Sequence, residues 1–91
     1  MLEKQVESYL NKRVKEAGGL SYKWISSVSG VPDRIVLINQ RCHFVELKTM
    51  TGVVSKRQEI VFEDIKQAGF PVIILRGKQD IEEFINAATK P

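Results

Sequence analysis

The apolar run Ile35-Val36-Leu37-Ile38 is followed, after only Asn39-Gln40-Arg41, by a second extended run from Cys42 to Lys48. A connection that short forces the chain straight back on itself, so the two runs are predicted to pair as a β-hairpin. Everything else must be arranged around that hairpin. Upstream, Leu2, Val6, Tyr9, Leu10, Val14 and Ala17 recur at helical spacing, with Gly18-Gly19 where a C-terminal cap belongs, which predicts an amphipathic first helix. Leu20 to Ile25, carrying Tyr22 and Trp24, partly alternates and suits a strand, and Ser26-Ser27-Val28-Ser29-Gly30 reads as a loop. Pro32 holds Val31 away from helical angles and delivers the chain, extended, into Asp33.

Downstream of the hairpin, Thr49 to Val54 make a loop. Ser55 then begins a helix carrying Ile60, Val61, Ile65 and Ala68, closed by Gly69 and followed by Pro71. Val72-Ile73-Ile74-Leu75 has the unbroken aliphatic character of a strand buried on both faces. Because a crossover helix precedes it, it should lie parallel to its neighbour. A last helix runs from about Gln79 to Ala88 with Ile81, Phe84, Ile85 and Ala88 inward. The order is αβββαβα, which describes an α/β domain with a mixed central sheet flanked by helices. A chain of 91 residues has material for one hydrophobic core, so residues 1–91 are read as a single domain. Pairing with a second copy would be an ordinary way for so short a chain to add burial.

No unbroken apolar stretch exceeds that of Val72 to Leu75, far short of a bilayer span, and the N-terminus lacks the basic and then apolar regions of a signal peptide. A cytoplasmic protein with no membrane partner is expected. Cys42 is the only cysteine and His43 the only histidine, which removes a disulfide framework and a zinc site of the Cys and His kind. Any bound metal must draw on oxygen. The net charge of +3 and pI near 9.2 point mildly to an anionic partner. Lys12, Arg13 and Lys15 crowd one helix, while Arg34, Lys48, Lys56 and Arg57 flank the acidic motifs. That arrangement suits a surface that tracks a nucleic-acid backbone, though the first cluster fits a solvated helix face equally well.

Strand alternation places Cys42, Phe44, Glu46 and Lys48 on one face of the second hairpin strand and His43, Val45 and Leu47 on the other. His43 is therefore read as structural. With the turn near Asn39 to Arg41, the start of the first hairpin strand lies beside the end of the second, so Asp33 should approach Glu46 and Lys48. Two adjacent carboxylates repel unless a cation lies between them. Mg²⁺ answers that need, with one or two of the carboxylates Asp33 and Glu46, a backbone carbonyl such as that of Leu47, water and a phosphate oxygen as ligands. Beside such an ion Lys48 could hold the attacking water or stabilise charge in the transition state. Phosphodiester hydrolysis is the expected reaction, with no small-molecule cofactor.

At this point a resemblance becomes specific. Gly30-Val31-Pro32-Asp33-Arg34, a spacer, and then Val45-Glu46-Leu47-Lys48 looks like the Pro-Asp and Glu-X-Lys signature of the PD-(D/E)XK nuclease superfamily, with its restriction-endonuclease-like fold, and most resembles the VRR-NUC family. The likeness runs from the Glu-bearing first helix to Ser55-X-X-Gln58 and the Gly-containing end of the next helix. It implies a metal-dependent endodeoxyribonuclease using Mg²⁺ or Mn²⁺. It further implies cleavage of branched DNA in the manner of a Holliday-junction resolvase, a homodimer, and a setting in DNA repair or a phage. It also implies that Gln58 stands near the metal and that a first-helix acid joins it, either Glu3 or Glu7, with Glu3 slightly favoured because it opens a Glu-X-X-X-Glu pattern.

Each residue also has a plainer reading. Glu-X-Lys alone is commonly a surface ion pair, so the weight lies on its combination with Pro32-Asp33. Ser55 and Gln58 have the spacing of a capping box, Glu3 and Glu7 suit the helix dipole, and Arg34 could bind a phosphate or pair with a carboxylate. Trp24 could stack on an unpaired base or belong to the core. Action on nicked, flap or single-stranded DNA, or a catalytically weak DNA-binding subunit of a repair or phage assembly, remain as alternatives. The intact Asp33, Glu46 and Lys48 weigh against the weak form.

Overall fold

A computed structural model describes residues 1–91 as α1 (Glu3–Glu16), β1 (Leu20–Lys23), β2 (Arg34–Ile38), β3 (Arg41–Leu47), α2 (Lys56–Gln67), β4 (Val72–Leu75) and α3 (Lys78–Ala88). The order is the expected αβββαβα. The four strands form one sheet in the order β1-β2-β3-β4, antiparallel across β1-β2 and β2-β3 and parallel across β3-β4. The mixed sheet follows from the connections: a tight turn joins β2 to β3, whereas α2 carries the chain back before β4.

The hairpin turn is tighter than the sequence suggested. Ile38 pairs directly with Arg41, so Arg41 belongs to β3 and only Asn39 and Gln40 make the turn, at φ of 52° and 62°. Two successive left-handed residues match the right-handed twist of the flanking strands, which is why a two-residue loop closes here.

Alternation along the strands separates the two faces of the sheet. Val36, Ile38, Val45, Leu47 and Leu75 point into a core completed by Val6, Leu10 and Val14 of α1 and Ile81, Phe84, Ile85 and Ala88 of α3. His43 lies on this same face, edge-on to the Phe84 ring at 5.2 Å, and burial followed by the nearby Arg41 charge pushes its pKa below the usual histidine range. The expectation that it points away from Glu46 holds. On the outer side of the helix pair, Arg13 grips Glu82 through Nε to Oε2 at 2.7 Å and Nη2 to Oε1 at 3.0 Å, and the Tyr9 hydroxyl donates to the same carboxylate. These bonds, Arg13 first, hold the Glu82 carboxyl down at about 2.

The opposite face is covered by α2 alone. Val61 is the buried residue of α2, and Phe44 sits between Trp24 and Phe70, with ring centroids 5.0 and 5.7 Å away. Trp24 therefore packs with Phe44 just beyond the end of β1. The reading of β4 as buried on both faces is corrected: Leu75 is buried, but Ile74 is 37% exposed. Because β4 is the edge strand, its outward side chains meet only the flank of α2, and the aliphatic run reflects a strand buried on one side.

Gln40 bears a Cβ in a conformation that costs an L-residue roughly 1–2 kcal/mol. Gln40→Gly should therefore stabilise the protein by up to about 1 kcal/mol after the glycine's entropy loss. Urea unfolding should show a higher midpoint with an unchanged slope. A lower midpoint would mean that the Gln40 side chain itself contributes.

Candidate active site

The hairpin register carries the site. Arg34 pairs with Val45, and Lys23 of β1 pairs with Arg34. One residue further, the Trp24 amide donates to the Asp33 carbonyl at 2.9 Å, so Trp24, Asp33 and Glu46 continue one row across the sheet. Beyond the last β2-β3 pair the Leu47 amide finds its acceptor in the Asp33 side chain, Oδ2 at 2.9 Å. That bond pins Asp33 against β3 and leaves its second carboxylate oxygen for another partner. On the far side of β3, the Lys48 amide donates to the Leu75 carbonyl at 3.1 Å, extending the parallel ladder past the strand end.

Glu46 is the unusual member. It is 1% exposed on the face turned toward α2, the face that also carries Phe44 and Val61. Its Oε2 accepts from Gln58 Nε2 at 2.7 Å and lies 3.2 Å from Lys48 Nζ. Its Oε1 is buried with no hydrogen-bond partner. Burial pushes the Glu46 carboxyl above the usual range, and the neighbouring Asp33 charge adds to the effect. The bonds from Lys48 and Gln58 oppose both. A buried carboxylate oxygen without a partner is costly, and a cation is the partner that would also relieve the repulsion from Asp33.

Gln58 both caps its helix and touches Glu46. Its backbone amide donates to Ser55 Oγ at 3.1 Å while its Oε1 accepts from the Ser55 amide at 3.0 Å, completing the capping box. The same side chain uses Nε2 for Glu46, so the helix cap aims the amide at the carboxylate. A glutamine can do this because its carbonyl and amide ends serve different partners.

The first-helix acids stand differently. Glu3 and Glu7 line a cleft with Lys4, Lys23, Asp33 and Leu47. No cluster of three or more His, Cys, Asp or Glu side chains forms, however, so Glu3 and Glu7 do not close with Asp33 and Glu46 into one ligand group. Glu7 Oε2 pairs instead with Arg34 Nη1 at 3.3 Å.

Arg34 is 8% exposed, and its guanidinium also donates to Ser21 Oγ and the Ser21 carbonyl. It is the carboxylate partner of the two roles considered for it, and the expected phosphate contact is corrected: a guanidinium held inside the β1-β2-α1 junction does not face a substrate. Arg13 is likewise withdrawn from the phosphate-contact set by its clamp on Glu82. Lys12, Lys56 and Arg57 are exposed, with Arg57 Nε reaching the Ser29 carbonyl at 3.3 Å. Lys4 and Lys23 were missed from sequence. Pairing β1 with β2 would have placed Lys23 next to Arg34 and hence beside Asp33, but a four-residue strand offers little signal of its register.

The donor set suits a hard divalent cation. Two carboxylates, one with an orphaned buried oxygen, together with a backbone carbonyl at Leu47 fit an ion that keeps several waters and takes the rest of its shell from a phosphate. Without metal, the raised Glu46 pKa makes the protein most stable below the unfolded carboxyl value. That contribution is lost as pH rises through the folded pKa. In EDTA, Glu46→Gln should therefore melt higher than the parent at pH 8, with the gap narrowing toward pH 4.5. Thermal unfolding at both pH values checks it, and a variant that melts lower at pH 8 would show the ionised carboxylate to be net stabilised.

The VRR-NUC domain family model matches residues 2–79. A solved chain described as a VRR_NUC domain superposes with a TM-score of 0.85 at 25% identity, over 92% of this chain and 94% of that one. No curated protein matches the sequence. With the family model spanning most of the chain and the fold shared throughout, this protein belongs to the VRR-NUC family and is a nuclease-type domain.

Proposed function

We propose that the chain is a metal-dependent endonuclease that hydrolyses DNA phosphodiester bonds at Asp33, Glu46 and Lys48. The observation that carries the reading is the partnerless Oε1 of buried Glu46 beside Asp33. A carboxylate with one oxygen left unpartnered, held where burial disfavours its charge, is the mark of a site built for something that arrives later. Asp33, Glu46 and the Leu47 carbonyl would hold Mg²⁺ or Mn²⁺. When bound, the ion neutralises charge on the scissile phosphate and activates a water.

The protein groups have separable tasks. Gln58 and Lys48 both engage Glu46 Oε2, which orients the carboxylate and leaves Oε1 as the oxygen that would hold a cation. Lys48 Nζ, with protons left to donate, would hold the attacking water or a non-bridging phosphate oxygen. Lys4 and Lys23 on the cleft wall and Lys56, Arg57 and Lys12 on the exposed surface supply positive charge for flanking phosphates. A branched junction cut in the manner of a resolvase needs two sites facing one substrate, and a homodimer is the form that provides them.

Asp33→Ala, Glu46→Ala and Lys48→Ala should each lower Mg²⁺-dependent cleavage by about a hundredfold or more, measured on four-way junction, flap, nicked, single-stranded and linear duplex DNA side by side. Undiminished cutting in all three variants would overturn the site. A preference for flap or single-stranded DNA over the junction would keep the chemistry and replace the substrate. Binding without product after long incubation in Mn²⁺ would instead make the chain a DNA-binding subunit.

Lys56→Ala with Arg57→Ala should weaken binding evenly across these DNAs. It should also reduce the slope of log affinity against log salt by about two. An unchanged slope would remove both residues from the DNA contact.

A further inference from the structure

We infer that Arg76, outside the catalytic constellation, is a positioning residue whose guanidinium sets the loop that carries Lys48 and Gln58 onto Glu46. The inference rests on the nuclease reading of that site. Arg76 follows β4 directly, and its Nη1 donates to the Thr49 carbonyl at 2.9 Å and to the Gly52 carbonyl at 2.6 Å. Its backbone amide is held in turn by Asp80 Oδ2 at 2.9 Å. One nitrogen thus ties two carbonyls of the loop 49–54 to the start of α3.

What that loop connects gives the clamp its consequence. Its first residue follows Lys48, whose own amide bonds the Leu75 carbonyl next to Arg76. Its last precedes Ser55, the cap residue through which Gln58 is aimed at Glu46. The loop has one internal backbone bond, Gly52 amide to Thr49 carbonyl at 3.2 Å, and exposed Met50 and Val53 bring it little burial. Charged hydrogen bonds to carbonyls are stronger than neutral ones, so Arg76 is the principal tie on a segment otherwise poor in contacts. Both donors to Glu46 Oε2 hang from its two ends. A misplacement of about 1 Å at such donors costs about a hundredfold in rate.

The test uses the full chain. In ¹⁵N-labelled protein the Gln58 side-chain amide protons, one of them bonded to Glu46, should resonate apart from free-glutamine values and exchange slowly. Arg76→Met should bring them to free-glutamine values, while a core variant of comparable stability loss, Val36→Ala, leaves them in place. Arg76→Lys, whose ammonium can also serve two carbonyls, should retain them. In DNA cleavage Arg76→Met should lower kcat by about ten- to a hundredfold with KM within about threefold, and Arg76→Lys should recover most of the loss.

Unchanged Gln58 resonances in Arg76→Met would overturn the inference. A loss confined to KM with a shallower salt dependence would also overturn it, in favour of a phosphate contact. If Arg76→Met does not fold, Arg76→Gln takes its place with the same expectations. Should the parent chain cut no DNA, the nuclease reading fails, and the Gln58 resonances still decide whether Arg76 sets the loop.

Discussion

The carboxylate of Glu46, almost wholly buried on β3, is the constraint to which the rest of the site answers. Burying an ionisable group among apolar neighbours is unfavourable unless its charge is met. Here Lys48 and Gln58 meet one oxygen and nothing in the protein meets the other. The elements around it are arranged to make that placement tolerable. The end of β3 supplies Lys48 and the capped N-terminus of α2 supplies Gln58, whereas the β2-β3 register brings alongside Asp33, whose charge adds repulsion that these two donors must also oppose. Each partner comes from a different segment, so the group is complete only when the sheet and α2 are both in place.

The two faces of the sheet divide the work. The face covered by α1 and α3 holds the main core and the Arg13-Glu82 clamp, and its polar junction absorbs Arg34 with Glu7 and Ser21. The other face, under α2, carries Glu46 with the Trp24-Phe44-Phe70 row. Stability and chemistry are thereby kept on opposite sides of the same strands, which lets alternate residues of β3 serve both. Val45 and Leu47 anchor the core while Glu46 between them remains free for the site.

Much of this was legible from residue order. Element order, the hairpin, the parallel return of β4 and the approach of Asp33 to Glu46 and Lys48 all follow from short-range rules: strand alternation, turn length and the reach of a crossover helix. Gln58 was legible as a cap and as a residue near the site, with both roles compatible, but how one side chain reaches both partners needs the distance from α2 to β3. The misreadings have a common origin. Arg34, Arg13 and the outward side of β4 were judged by residue type, and type does not say which neighbour a long cation meets or whether a strand has one flank or two.

The sequence by itself determined that Asp33, Glu46 and Lys48 would meet, since a tight hairpin in a fixed register leaves them no other arrangement on one strand pair. It likewise determined the helix caps at Gly18, Ser55 and Gly69, where local backbone chemistry decides. Only the tertiary structure decided that Glu46 is sealed from solvent with one oxygen unmet. It alone withdrew Arg34 and Arg13 into ion pairs, brought Lys4 and Lys23 to the cleft, and let Arg76 hold the loop behind Lys48. Those outcomes depend on contacts between segments distant in the chain, where burial and charge are set by whichever surface happens to pack alongside, and no local period or spacing encodes that.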